Sequence, residues 1–179
     1  MLAIIKNTRF LNIKLAILFH VLISILNICP SFAMDVVDEP DDYTKIKKDN
    51  LQNAILEDDQ ELFSQLLYED YDLVVNTVIE EHYLHLAVMM KALDCLSLMV
   101  KIKEVQQNID QIDDSGKTAL HYAVIQCSLE SVKILLYSGA KPQTKDPLGW
   151  SPFAYAYKID DLQLRGYMLS RFFEANNNK

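Results

Sequence analysis

The side chains that look most like metal ligands are His82 and His85, with Glu80 and Glu81 beside them. A zinc hydrolase would place two histidines and a glutamate as HExxH on one helix face, and a structural zinc site would show a Cys/His spacing. Neither pattern is present. Three cysteines, Cys29, Cys95 and Cys127, are too few for a disulfide scaffold. There is no GxGxxG, no phosphate-binding glycine loop, no GxSxG elbow, and no nucleophile at a recognisable spacing from an orienting base. The residues therefore point away from catalysis, and no metal or cofactor is expected.

Composition narrows the alternatives further. Half of the 179 residues are hydrophobic, which is enough for a sizeable core and excludes wholesale disorder. Four glycines and five prolines rule out a sandwich of many short strands and tight turns. Seventeen basic against twenty-five acidic residues, a net charge of −8, argue against a nucleic-acid partner.

The first residues read as a transport signal. Lys6, Arg9 and Lys14 precede an uncharged run, Leu15 to Ile28. Those fourteen residues would span roughly 21 Å as a helix, short of a hydrocarbon core of ~30 Å. Pro30 then breaks the helix, and Ser31 and Ala33 place small side chains at alternate positions. A basic head, short apolar middle and small-x-small tail predict a cleavable signal over 1–33, the alternative being an uncleaved anchor. Removing three bases and no acid leaves 14 against 25, a net of −11, with no membrane attachment expected afterwards. Residues 34–43, with Asp35, Asp38, Glu39, Asp41 and Asp42 around Pro40, are expected to form an acidic flexible leader.

The rest of the chain repeats. Asp113 and Asp146, Gly116 and Gly149, Thr118 and Ser151, Leu120 and Phe153, and Ala123 and Ala156 all lie thirty-three residues apart. Leu84-His85-Leu86-Ala87 matches Leu120-His121-Tyr122-Ala123 after a three-residue insertion, and Leu51 and Ala54 precede Leu84 and Ala87 by thirty-three. Twelve and thirteen residues beyond each alanine stand Leu66-Leu67, Met99-Val100, Leu135-Leu136 and Met168-Leu169, all aliphatic or Met. A unit of this size cannot bury its apolar faces alone, so neighbours must stack. Thr118 suits the cap of a first helix, and Asp59, Ser128 and Asp161, in one register, suit the caps of second helices. Ala92 breaks that register, so the second unit should begin its second helix less crisply. Gly139 stands where a left-handed C-cap is needed. The end units should be more polar on their outer faces.

Segment 113–145, with Thr118-Ala119-Leu120-His121-Tyr122-Ala123, the paired leucines and Gly139-Ala140, resembles the ankyrin repeat, Ala119 replacing the usual proline. The resemblance extends over units 44–76, 77–112, 113–145 and 146–178, and is thinnest in the first, which lacks the glycine turn. It implies an all-α solenoid of about four stacked helix-turn-helix units with short turn tips. It also implies that His85 and His121 fix the turns between repeats by hydrogen bonding rather than binding metal. In that register Cys95 aligns with Ser131, four residues from Cys127, an axial offset of about 6 Å. With ~8–10 Å between packed helices, the two thiols lie beyond the ~7 Å limit for a bridge. Both should be free, Cys95 facing the core and Cys127 near a turn.

The binding surface implied is the turn tips and concave face of the first helices. Its candidates are Lys117, Ile125, Leu148, Trp150, Lys158, Met89 and Met90, with Trp150 expected to stand in solvent as an anchor. Asp114, Ser115, Gln126, Pro147, Ile159 and Glu81 line the same slots. The resulting expectation is an exported, monomeric module that binds a protein partner. Richness in Ile, Lys and Asn is similar to that of proteins from AT-rich bacterial genomes, which extends the expectation to a host target. The alternative is a periplasmic protein that protects or scaffolds an envelope enzyme.

Overall fold

A computed structural model describes residues 40–177. The expected signal (1–33) and most of the expected leader (34–39) lie outside the described residues. Ten helices follow in order: α1 Pro40–Leu56, α2 Gln60–Glu69, α3 Tyr71–Glu80, α4 Tyr83–Met90, α5 Leu93–Met99, α6 Lys103–Gln107, α7 Ala119–Ile125, α8 Leu129–Tyr137, α9 Pro152–Lys158 and α10 Leu162–Asn177. Four helix pairs, α1/α2, α4/α5, α7/α8 and α9/α10, carry the repeat. First helices α4, α7 and α9 pack side by side in one layer, and second helices α2, α5 and α8 in another. The described fold is all-helical, with one isolated β-bridge, Ile112 to Thr118, at a turn tip.

The core sits between those layers at the repeating positions. Ala54, Ala87, Ala123 and Ala156 are all essentially inaccessible, as are Met99, Leu135 and Met168 from the paired positions, with Leu66 nearly so. A methyl is the largest side chain that lets two helix backbones approach this closely, so volume at the alanines must stay small. Ala123→Leu is therefore expected to lower stability by ~1–3 kcal/mol through overpacking. A denaturation midpoint matching that of the unaltered chain would refute the packing described.

The helix caps follow the register only in part. Asp59 accepts from the Leu62 amide (3.0 Å), and Asp161 accepts from Gln163 (2.9 Å) and Leu164 (3.0 Å). Ser128 does not cap α8. Its hydroxyl instead pairs with that of Ser131 at 2.8 Å in the buried core. Ala92 offers α5 no side-chain cap, but the first unit supplies one. Asp58 reaches across, and its carboxylate accepts from the amides of Cys95 (2.9 Å) and Asp94 (3.3 Å). Asp58, Lys91 and Cys127, each four residues beyond the shared alanine, take left-handed φ of 51°, 58° and 54° in the turn between paired helices.

Three features depart from a uniform array. Helix α3 stands where the later units have a glycine turn, with Asp70 capping it through the Leu73 amide and holding Lys47 of α1 at 3.1 Å. Helix α6 occupies the stretch that contains the three-residue insertion. At the far end Tyr157, Leu162 and Phe173 are all well exposed, and the side chains of residues 174–179, on which a polar outer face was expected, lie outside the described residues. Tyr157 shares its register with Val88 and Val124, which the next repeat buries completely. Among the described residues no helix is long and apolar enough to cross a membrane.

Candidate functional site

Two turns of the same construction present the candidate residues. In each, an aspartate opens the turn and a glycine with positive φ closes it, Gly116 at 71° and Gly149 at 81°. Asp113 Oδ1 accepts from the amides of Ser115 and Lys117, both at 3.0 Å, and its Oδ2 accepts from the Tyr122 hydroxyl at 2.6 Å. Asp146 repeats this thirty-three residues on, with the Leu148 amide (3.0 Å), the Trp150 amide (2.8 Å) and the Tyr155 hydroxyl (2.7 Å). Each tip is thereby fastened to the first helix behind it. Sequence reasoning missed the two tyrosines, although each follows its aspartate by nine residues in both units.

A histidine from the preceding unit holds each turn from below. His121 is fully buried. Its Nδ1 accepts from the Thr118 amide (3.0 Å) and lies 2.8 Å from the Thr118 hydroxyl, in a reciprocal cap at the start of α7. An Nδ1 that accepts leaves the proton on Nε2, which donates to the Trp150 carbonyl at 3.2 Å. His85 likewise donates from Nε2 to the Lys117 carbonyl at 3.0 Å. In the second unit His82 replaces the threonine and takes a left-handed φ of 54°, so α4 has no side-chain cap and His85 Nδ1 has no hydrogen-bond partner. The rings of His82 and His85 pack edge to face at 5.4 Å.

These environments set the protonation states. Burial pushes the imidazoles of His85 and His121 below the ordinary 6.5, and hydrogen bonds to the turn carbonyls offset this only in part. Burial pulls the Asp113 and Asp146 carboxyls upward, but the tyrosine hydroxyls and turn amides outweigh it, holding both below 3.8. All four groups have folded pKa values below their unfolded ones, so the unfolded chain binds protons first. Their stabilisation is complete above 6.5, declines as pH falls through the histidine range, and declines again below 3.8. Thermal melts should show a midpoint falling as the pH drops from about 7.5 to about 5.5. A flat midpoint over that interval would contradict the depressed histidines.

The expected contact residues divide into two groups. Met89, Ile125 and Lys158 each stand two residues beyond the shared alanine on successive first helices, and all three are exposed, as is Met90. The Gln126 amide donates to the Met89 carbonyl at 3.2 Å, joining α4 to the end of α7. Leu148 at the fourth tip is 74 % exposed. Lys117 and Trp150 are only half-buried, not free in solvent as expected for Trp150. The indole lies 5.9 Å from the Tyr155 ring, tilted by 46°, with Lys158 Nζ 3.7 Å above its centroid. Eight residues separate Trp150 from Lys158, and helix α9 carries the ammonium back over the tip.

Among the described residues two cysteines are present and both are unpaired, Cys95 buried and Cys127 exposed. Burial pushes the Cys95 thiol up to about 12, and Asp58 adds to the shift. Its sulfur lies 3.5 Å from the Ala54 carbonyl, so it behaves as a small core side chain.

Comparison with known proteins agrees with this architecture. Residues 51–146 match the family model for ankyrin repeats (3 copies). The chain is 35 % identical over 69 residues to protein phosphatase 1 regulatory subunit 27 of Mus musculus, covering 38 % of this chain and 45 % of the relative. It is 41 % identical over 58 residues to ankyrin repeat domain-containing protein 13C of Danio rerio, covering 32 % and 12 % respectively. The match thus spans less than half the length of these relatives. Among solved structures, a chain in the crystal structure of the yeast ribosomal protein Rps3 in complex with its chaperone Yar1 superposes with a TM-score of 0.56 at 17 % identity. That superposition covers 69 % of this chain and 91 % of the other, a likeness of fold. With the repeat register, the helix pairs and the histidine-held turns all in place, the chain belongs to the ankyrin-repeat family.

Proposed function

We propose that this chain is an exported, non-catalytic module that binds a protein partner through the turn tips and the exposed face of its first helices. The observation that carries the reading is the cluster of Trp150, Tyr155 and Lys158 beside Leu148, continued along the register by Ile125 and Met89. Aromatic, methionine and cationic side chains on a rigid scaffold are what interface anchors are made of. The turns beneath them are held by His85, His121, Asp113 and Asp146, so the surface is preorganised and a partner meets little ordering cost. Relatives and neighbours whose names describe a regulatory subunit and a chaperone complex support a protein partner of this kind.

Export rests on the basic head, short apolar run and small-x-small tail of residues 1–33, and action on a host target rests on composition alone. The decisive experiment pairs affinity capture by the full chain and its Trp150→Ala variant with fractionation of producing cells and medium. The reading expects a discrete protein retained by the full chain and lost by the variant, and chain recovered outside the cytoplasm with residues 1–33 removed. Equal retention by both would remove the tip from the interface, and intact chain confined to the cytoplasm would remove export.

A further inference from the structure

The three-residue insertion in the second unit plays no part in the surface described above, yet it builds something. Between the paired Met99-Val100 and Asp113 it adds α6, whose Gln106 reaches over to the end of α8 and donates to the Ser138 carbonyl at 3.3 Å. Together α5, α6 and α8 border an open groove of about 510 Å³ on the second-helix layer. Val100 and Ile134 give it an apolar floor, Tyr137 is an exposed aromatic wall, and Lys101 and Lys133 stand on its lining. No carboxylate lines it.

The charges are the informative part. In a chain of net −8, a stretch of lining that carries two lysines and no acid is a local reversal of sign. Among the described residues neither Lys101 nor Lys133 forms an ion pair. Lys133 has only the Tyr167 ring, 5.9 Å from its ammonium. Two cations left without counter-charges over an apolar floor are complementary to a ligand that brings both carboxylates and apolar side chains.

We infer that this groove is a second docking surface, for an acidic amphipathic segment of a partner protein. Its carboxylates meet Lys101 and Lys133, and its apolar side chains lie on Val100, Ile134 and Tyr137. The groove is open rather than enclosed, which suits a chain segment passing through it. It lies on the second helices, and the Trp150 cluster on the turn tips and first helices, so either surface can fail without the other.

The test is fluorescence anisotropy of a fluorescein-labelled synthetic peptide of alternating glutamate and leucine, titrated with the full chain. Saturable binding is expected, weakening as ionic strength rises. The double variant Lys101→Met, Lys133→Met keeps the side-chain stems and should weaken binding at least tenfold. Lys145→Met, an exposed lysine near the fourth turn, should leave it within about twofold. Circular dichroism establishes that the variants keep their helices, and a variant that loses them is replaced by Lys101→Gln with Lys133→Gln. Absence of saturable binding would overturn the proposal, as would equal weakening by Lys145→Met or equal binding of a lysine-leucine peptide. Binding of 1-anilinonaphthalene-8-sulfonate without binding of the peptide would make the groove a small-anion site and likewise overturn it.

Discussion

His121→Ala is expected to lower the stability of the array by about 3 kcal/mol, the largest effect of any single polar substitution in the molecule. The imidazole is fully buried and joins the cap of α7 to the fourth turn by hydrogen bonds at both ring nitrogens. Its loss strands the Thr118 amide inside the core and takes one of two donors from the Trp150 carbonyl, which keeps only the Asp146 amide at 2.8 Å. Each buried polar group left unsatisfied costs roughly 1–3 kcal/mol, and the cavity adds to this. His85→Ala should cost less, because His85 Nδ1 has no hydrogen bond to lose. Chemical denaturation of both variants checks the order. Equal losses, or a loss below about 1 kcal/mol for His121→Ala, would show that the reciprocal cap with Thr118 contributes nothing.

Trp150→Ala is expected to weaken partner binding at least tenfold, about 1.4 kcal/mol or more, while lowering stability by only about 1 kcal/mol. The turn itself survives the substitution. The amide and carbonyl that Asp146 and His121 hold belong to the backbone and remain in alanine. What disappears is the indole, and with it the Tyr155 contact and the cation–π contact to Lys158. A partly exposed contact of that type contributes about 0.5–1 kcal/mol. Trp150 is the only tryptophan, so its emission reports the cluster before any partner is known. Lys158→Ala should shift that emission and increase its quenching. An unchanged spectrum would mean that Lys158 does not lie over the ring in solution.

Why the architecture was readable follows from what a repeat demands. Ala54, Ala87, Ala123 and Ala156 must be small because helices meet there, and the aliphatic pairs twelve residues on must fill the core between layers. Such constraints act within one unit and recur in the next, so spacing alone displays them. The same holds for Gly116 and Gly149, whose left-handed φ is a local requirement. His85 and His121 were readable through the family resemblance, which implied turn-fixing rather than metal binding.

The candidate surface was legible as a set of positions but not as an arrangement. The exposed register of Met89, Ile125 and Lys158 follows from the alanines, whereas at Trp150 the matching residue of the third unit, Lys117, suggests solvent and the structure buries the indole in part. A lysine can lie half-buried along its stem with its ammonium in water, so its presence was a poor gauge of exposure. Ser128 misled in a similar way. It occupies a capping register, but a buried hydroxyl three residues away is the partner it takes.

By itself, then, the sequence determined the all-helical repeat, its thirty-three-residue period, the buried alanines and aliphatic pairs, and the absence of recognised catalytic motifs. Each depends on chemistry within one unit. Only the tertiary structure decided which groups meet across units. It brought Asp58 of the first pair to the bare end of α5, His121 to the carbonyl of the fourth turn, and α6 to the rim of the groove between α5 and α8. The partners in these contacts lie between twenty-nine and thirty-seven residues apart. Stacking sets those distances, and no local spacing encodes them.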